Sequence, residues 1–177
     1  MKPLELLSVG NVADELLQYL QSAIPKLVGV PCEIVPETLD PSPTFHAERR
    51  QYHSSELLAR MQRFAGAGCW RVLGVADVDL YIPILTFVFG EAQMRGPCAL
   101  VSARRLRQEF YSLAPDRELL KTRLLKEAIH ELGHTCDLTH CDNYLCAMAS
   151  SHAVEWIDLK EAALCTGCKR RLVAYVQ

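Results

Sequence analysis

The chain has 177 residues, enough for one domain with a core of its own. Half of its residues are hydrophobic and its formal net charge is only -2, which is the composition of an ordinary globular protein. This balance argues against a nucleic-acid-binding protein, which usually shows a marked basic excess. Because we find no apolar segment of the length of a signal peptide or a transmembrane span, we expect a cytoplasmic protein with no membrane partner. In that setting, eight cysteines favour metal binding over a disulfide framework.

The first two thirds of the chain alternate between predicted strands and helices. Short apolar runs predict strands at residues 4–9, 30–35, 70–76, 86–89 and 98–102. Apolar residues at helical spacing predict a first helix that is capped by Asn11 and ends at Pro25, and a second helix over residues 45–64. Strands separated by helices are typical of a sheet with right-handed crossovers.

A long helix is predicted next, beginning near Pro115, which suits the first turn of a helix. Its apolar stripe is formed by Leu120, Leu124, Ala128 and Leu132. An irregular segment with several cysteines follows. We then predict a short helix at residues 158–164 and an amphipathic stretch at residues 172–176.

The last turn and a half of the long helix holds the sequence His130-Glu131-Leu132-Gly133-His134. Positions four apart lie on one face of a helix, so His130 and His134 can direct two imidazoles at one ion. Glu131 can then reach a water on that ion without being a ligand. A catalytic zinc needs three protein ligands and one open position, and His140 supplies a third imidazole if the chain leaves the helix and folds back. The pattern predicts a zinc hydrolase site of the peptidase type.

Residues 130–168 resemble the archaemetzincins, a branch of the metzincin zinc peptidases. The resemblance is carried by the HELGH core, His140-Cys141, Cys146-Ala147-Met148 and Cys165-Thr166-Gly167-Cys168. Weaker similarity extends upstream to Gln51-Tyr52, Asp79-Leu80-Tyr81 and Phe87-Val88-Phe89-Gly90-Glu91-Ala92.

The resemblance implies a metzincin-like α/β (α+β) fold, with a mixed twisted sheet flanked by helices and a zinc-clipped C-terminal segment. The implied ligands of the catalytic zinc are His130, His134 and His140. Glu131 would be the general base that acts on a zinc-bound water, and Met148 the residue of the turn beneath the metal. A substrate strand would pair with a sheet edge at residues 86–90. A second, structural zinc would be held by Cys141, Cys146, Cys165 and Cys168, so that the chain binds two Zn²⁺ ions.

The physical purpose of the cysteine cluster is to hold a segment that is too irregular to bury enough apolar surface by itself. Four thiolates form a closed, tetrahedral zinc site, and Cys141 adjoins His140, so the site also fixes the loop that delivers this ligand. The alternatives are a redox pair at Cys165 and Cys168, or two disulfides. Three of the remaining cysteines are predicted to be buried small hydrophobic residues: Cys32, Cys69 and Cys98. The fourth, Cys136, is close to the end of the catalytic helix.

One position departs from the metzincin pattern, which usually has glycine three residues after the second histidine, where this chain has Asp137. Glycine there permits the left-handed backbone that ends the helix. Aspartate adopts that conformation at a cost of roughly 1 kcal/mol, so we expect the turn to survive. If the helix continued instead, Asp137 would share a face with the histidines and could itself bind the metal. Support of a ligand imidazole is a further candidate role for Asp137.

We therefore predict a single compact catalytic domain. It would comprise an N-terminal subdomain at residues 1–136, with the sheet and active-site helix, and a C-terminal subdomain at residues 137–177. The predicted function is zinc-dependent hydrolysis of peptide bonds in a peptide or protein substrate, by a monomer that binds no nucleic acid. The alternative is a zinc-stabilised module that binds peptides or proteins with little or no proteolytic activity.

Overall fold

A computed structural model of the chain describes residues 1–176. In these residues the strands are β1 (Leu4–Val9), β2 (Cys32–Leu39), β3 (Phe45–His46), β4 (Gln51–His53), β5 (Arg71–Ala76), β6 (Leu80–Tyr81), β7 (Gly90–Ala92) and β8 (Cys98–Ser102). The helices are α1 (Asp14–Val28), α2 (Ser54–Met61), α3 (Arg117–Thr135), α4 (Val154–Leu159) and α5 (Thr166–Val176). Short 3₁₀ helices cover Ser42–Thr44, Gln62–Phe64, Arg104–Leu106 and Gln108–Tyr111.

The main sheet has five strands in the order β2-β1-β5-β8-β7. The first four are parallel, and β7 pairs antiparallel with β8 at the edge of the sheet. Successive side chains of β1 alternate between two apolar cores: Leu6 packs with α1 and α3 on one face, and Leu7 packs with α2 on the other. A strand buried on both faces is apolar at nearly every position, which explains the apolar runs of β5 and β8. The run of β1 is interrupted by Glu5 and Ser8, which are only partly buried. A smaller sheet has the order β3-β4-β6. The predicted mixed α/β fold, a sheet flanked by helices, is confirmed.

The predictions for β1 and β8 are confirmed to the residue, and that for β5 to within one residue. The second strand, in contrast, begins at Cys32 and continues through Pro36 to Leu39. Proline is tolerated there because β2 lies at an edge of the sheet and its register with β1 shifts at this point.

The ends predicted for the first helix were wrong. Asn11 is not its cap, since the helix begins at Asp14 with Ala13 before it. Pro25 lies inside the helix, which runs one turn further to Gly29, whose left-handed backbone (φ 73°) ends it. Proline costs the helix one hydrogen bond, whereas the added turn packs Leu27 and Val28 against the core.

The single helix predicted over residues 45–64 was also wrong in its first part. Residues 45–53 form β3, a turn and β4, and α2 begins only at Ser54. Arg50 has a left-handed backbone (φ 54°), which breaks any helix, and Tyr52 pairs with Leu80 of β6. Tertiary pairing outweighs the helical spacing of the apolar residues here.

Two short elements are displaced from their predicted positions. Residues 86–89 form no strand, and the edge strand β7 follows at Gly90–Ala92. The helix predicted at residues 158–164 lies at Val154–Leu159, because Val154 and Ile157 form its buried face and the backbone is extended at Lys160.

Helix α3 carries the histidine motif in its last turns. Asp116 caps it, with Oδ1 accepting a hydrogen bond from the backbone N–H of Leu119 at 2.9 Å, so Pro115 lies just before the helix. The helix is buried along most of its length, which fixes its rotation and hence the direction of the motif. At 19 residues it is the longest helix of residues 1–176, and none of the helices in that range is long and apolar enough to cross a membrane.

Candidate active site and metal centres

Three imidazoles converge where α3 ends. His130 and His134 lie one helical turn apart, with 3.1 Å between their Nε2 atoms, and the loop after the helix brings His140 back to them. One ligand atom from each of the three rings lies within 4.8 Å of the others. Two nitrogens that are each about 2.1 Å from one tetrahedral ion would be about 3.4 Å apart, close to the observed separation. The spacing therefore suits one shared ion.

The hydrogen bonds of the two helical rings leave the correct nitrogens free for a metal. His130 Nδ1 bonds the carbonyl oxygen of Ala147 at 2.8 Å, and His134 Nδ1 bonds that of Leu138 at 2.7 Å. A carbonyl only accepts, so each Nδ1 carries the proton and each Nε2 presents a lone pair. Burial also lowers the pKa of both rings, well below the ordinary value for His130. Neutral imidazoles are the form that binds zinc, and the donor set fits it.

The end of α3 determines how the third imidazole returns. The backbone N–H of Asp137 bonds the carbonyl of His134 at 3.1 Å, and that of Leu138 bonds the carbonyl of Gly133 at 3.0 Å. These two bonds form a Schellman motif, in which the residue after the cap is left-handed. Asp137 adopts this conformation (φ 62°), so the expected survival of the turn is confirmed.

The carboxylate of Asp137 forms an ion pair with Arg95. Arg95 Nη2 donates to its Oδ2 at 2.7 Å, and this hydrogen bond lowers the pKa of the carboxyl. The backbone N–H of Arg95 also bonds the carbonyl of His134 at 3.3 Å. Since the helix ends at Thr135, Asp137 does not continue the helical face that would make it a fourth ligand.

The segment after the cysteine loop packs directly against the motif. A side chain at Gly133 would overlap the sulfur of Met148, which is fully buried. The carbonyl of Met148 accepts a hydrogen bond from the backbone N–H of Cys141 at 3.0 Å, and the carbonyl of Ala147 holds His130. This turn therefore contacts both the helix and the loop that carry the imidazoles.

Glu131 is buried beside the three rings and lines the cleft. Burial raises its pKa well above the ordinary value, and the neighbouring carboxylate of Glu127 raises it further. The backbone of Gly90 in β7 approaches closely: a Cβ there would lie 2.7 Å from Glu131 Cγ and 2.8 Å from Oε1. Only glycine leaves room for the carboxylate at this contact.

The cleft has a volume of about 460 Å³. Its walls include the three histidines, the edge strand β7 and the irregular residues 85–89. Of the edge predicted at residues 86–90, only Gly90 belongs to a strand of the sheet, and the rest forms the cleft wall.

The four clustered cysteines meet below the histidine loop. One sulfur from each of Cys141, Cys146, Cys165 and Cys168 lies within 4.8 Å of the others. The Sγ atoms of Cys141 and Cys165 are 3.8 Å apart, the separation expected of two sulfurs about 2.3 Å from one tetrahedral zinc. The pKa of Cys165 is lowered to about 7, chiefly by a hydrogen bond from the backbone N–H of Cys168. The set fits a closed zinc site.

The remaining cysteines lie in different parts of the fold. Cys69 and Cys98 are buried, as predicted for small hydrophobic residues. The same prediction was wrong for Cys32, which is partly exposed because it begins the edge strand β2. Cys136, at the end of α3, is also buried. Burial raises the pKa of Cys98 to about 11, so this thiol stays protonated.

Sequence reasoning missed a buried ion pair beneath the site. Lys160 Nζ lies 2.8 Å from Glu127 Oε1, and both side chains are less than 5% exposed. Lys160 also donates to the carbonyl of Ala149 at 3.2 Å. Glu127 could have been suspected, because it precedes Glu131 by one helical turn, but nothing around Lys160 in the sequence marks it.

Comparisons with known proteins agree with this geometry. The model of Peptidase family M54 matches residues 47–174. An archaemetzincin from Methanocaldococcus jannaschii is 42% identical over 164 residues, which cover 93% of this chain and 89% of the relative. A crystal structure of a zinc-dependent peptidase from Methanocorpusculum labreanum superposes with a TM-score of 0.88 at 28% identity, covering 96% and 99% of the two chains. An archaemetzincin structure from Methanopyrus kandleri gives 0.82 at 31% identity, covering 98% and 96%.

The fold, the converging imidazoles and these relatives define a zinc metallopeptidase, an enzyme that acts on peptides. The family match covers more than half of the chain, and the similarity to the archaemetzincins runs over most of its length. The chain belongs to peptidase family M54.

Proposed function

We propose that His130, His134 and His140 hold the catalytic zinc and that Glu131 is the general base of peptide hydrolysis. The observation that carries this proposal is the convergence of three imidazoles beside a buried carboxylate in the wall of a cleft. The zinc, when bound, supplies a Lewis acid that polarises a carbonyl and lowers the pKa of water to about 7.

Glu131 moves the protons of the reaction. Its carboxylate takes a proton from the attacking water at an Oε atom and returns it to the leaving amine. The close backbone of Gly90 limits the movement of this carboxylate. Met148 and the carbonyl of Ala147 hold the helix and the first imidazole in register.

The substrate enters as an extended strand along β7. This strand is one of the two edge strands of the main sheet, and it lies directly against Glu131. A peptide that adds to the edge brings a scissile carbonyl next to the base, with side chains pointing alternately toward and away from the cleft.

A second zinc is structural and is held by Cys141, Cys146, Cys165 and Cys168, which gives two Zn²⁺ ions per chain. The support is the fit of the sulfur separations to one tetrahedral ion. The cysteine cluster and the turn at Met148 belong to a C-terminal subdomain of residues 137–177. This subdomain and an N-terminal subdomain of residues 1–136 together form one catalytic domain. Gln177 lies outside the described residues.

The cellular location, the oligomeric state and the partners of the protein are further parts of the proposal. We infer a cytoplasmic location, which is supported by eight free cysteines, four of them grouped as metal ligands. We also infer a monomer without a nucleic-acid partner, in line with the net charge of -2. Size-exclusion chromatography with light scattering tests the monomer.

The test of the catalytic assignment is Glu131→Gln in zinc-loaded protein, assayed on an unbiased peptide library. We expect the variant to keep its zinc and to lose a factor of about 10²–10⁴ in kcat. Glu118→Gln, at an exposed position of the same helix, is the control and should match wild type. Turnover unchanged in Glu131→Gln would disprove the role of Glu131. A wild-type protein that binds library peptides without cleaving them would favour the binding module instead.

A further inference from the structure

One wall of the cleft has little secondary structure to hold it. Residues 85–89 line the cleft, yet they belong to no strand or helix. The backbone N–H of Leu85 bonds the carbonyl of Ile82, and that of Val88 bonds the carbonyl of Leu80, both at 3.0 Å. The carbonyl of Phe89 accepts a third bond, from the backbone N–H of Ser102 at 2.9 Å. A segment with so few backbone bonds needs other contacts to keep one conformation.

Side chains from three separate parts of the chain supply those contacts. Gln51 is buried, and its Nε2 donates to the carbonyl of Thr86 at 2.9 Å and to Asp79 Oδ2 at 3.1 Å. Arg105 holds the same carboxylate in a bidentate pair, with Nη2 donating to Oδ2 at 2.8 Å and Nε donating to Oδ1. The carboxylate thus fixes the position of Gln51, and Gln51 fixes the carbonyl of Thr86.

Two arginines complete the contact with the wall. Arg49 Nη2 donates to the carbonyl of Leu85 at 2.7 Å, and Arg49 Nε donates to Gln51 Oε1 at 3.1 Å. The guanidinium of Arg105 lies 4.1 Å from the ring centre of Phe87, which also lines the cleft. The network therefore reaches the wall at Leu85, Thr86 and Phe87.

A second ion pair in the chain has the same chemistry without that contact. Arg107 Nη2 donates to Asp77 Oδ2 at 2.5 Å, and the two side chains are 25% and 22% exposed, against 22% and 17% for Arg105 and Asp79. In the part of the chain that the structure describes, the hydrogen bonds of Asp77 and Arg107 do not reach residues 85–89. The pair is therefore a matched control.

We infer that Gln51, Asp79 and Arg105 are positioning residues that hold residues 85–89 as a preformed wall for substrate binding. The inference rests on the proposed peptidase function. None of the three lines the cleft, so they act through the wall and not on the reacting atoms. A preformed wall lowers the cost of ordering the site when a peptide binds, and its loss weakens binding more than chemistry.

The experiment compares Asp79→Asn with Asp77→Asn in zinc-loaded protein. For Asp79→Asn we expect KM for a peptide substrate to rise on the order of tenfold, with kcat within about twofold of wild type. We also expect faster hydrogen exchange at the amides of Leu85 and Val88. Asp77→Asn should change neither quantity. The exchange measurement needs no turnover, so it reports on the wall independently of the activity.

The inference requires both the rise in KM and the faster hydrogen exchange in Asp79→Asn. Equal behaviour of the two variants would overturn it, as would faster exchange without a rise in KM or a rise in KM without faster exchange. If Asp79→Asn does not fold, Gln51→Leu decides, because it removes the 2.9 Å bond from Gln51 to Thr86 and leaves the Asp79–Arg105 pair intact. The carbonyl of Thr86 then keeps only its longer bond, from Arg49 Nη2 at 3.2 Å. A wild-type protein without turnover would instead contradict the proposed function, while the exchange comparison would still test the bracing of the wall.

Discussion

Burial of the Glu131 carboxylate, at the proposed catalytic site, lowers the stability of the folded protein at pH values where this group is ionised in the unfolded chain. The carboxylate is buried, and burial followed by repulsion from Glu127 raises its pKa. The folded, metal-free protein therefore keeps this proton at pH values where the unfolded chain, with a pKa near 4.5, has lost it. The stability that this group contributes is present below pH 4.5 and is lost as the pH rises through the folded-state pKa.

Glutamine at this position does not titrate. In the metal-free protein, we expect Glu131→Gln to be more stable than wild type, with a difference in Tm that widens from about pH 5 to about pH 8. Thermal unfolding in a chelator across this range measures the difference. Glu118→Gln, whose side chain is 83% exposed, should show no such trend. A gap that narrows with rising pH would contradict the prediction.

Helix α3 depends on its first turn as well as on its last. Asp116 satisfies the backbone N–H of Leu119, which otherwise has no partner inside the helix. Asp116→Ala should lower the free energy of unfolding by about 1 kcal/mol, as measured by chemical denaturation. Asp142→Ala, outside the helices, is a suitable comparison. A variant as stable as wild type would show that the buried face alone holds the start of the helix.

The four clustered cysteines of the C-terminal segment are the proposed ligands of the structural zinc. We expect Cys165→Ser together with Cys168→Ser to reduce the zinc content from two ions to one, measured by mass spectrometry. The remaining zinc should also dissociate faster, because Cys141 no longer anchors its neighbour His140. Cys32→Ser, outside the cluster, should retain both ions. One zinc in fully loaded wild type would contradict the assignment.

At the scale of the whole molecule, one lysine connects three segments that are far apart in the sequence. Lys160 follows α4, pairs with Glu127 on α3 and holds the carbonyl of Ala149 beside Met148. Both partners of the ion pair are almost fully buried, so neither charge can recover its lost hydration if the other is removed.

Lys160→Met should therefore lower the free energy of unfolding by about 3–5 kcal/mol, measured by denaturant titration. Adding Glu127→Gln should restore part of the loss by removing the unpaired carboxylate. The surface pair of Lys121 and Glu118 is the comparison, and Lys121→Met should destabilise the protein much less than Lys160→Met. A Lys160→Met loss no larger than this would contradict the prediction.

Local sequence patterns predicted the elements that depend on interactions between residues close together in the sequence. The apolar runs of β1 and β8 identified both strands to the residue, and helical periodicity placed His130 and His134 on one face of α3. The left-handed turn at Asp137 was also predictable, because it depends on the backbone preferences of one residue.

Tertiary structure decided the rest of the site. No short-range pattern indicates that Lys160 pairs with Glu127, or that Gln51 holds the carbonyl of Thr86, since these partners are 33 and 35 residues apart. Residues 86–89 have the composition of a strand, yet they form an irregular wall, while the edge strand begins at Gly90 beside Glu131. A buried charge or carbonyl must find a partner wherever the fold brings one near. Sequence periodicity therefore specifies which face of an element is buried, and only the assembled fold specifies the polar groups that meet there.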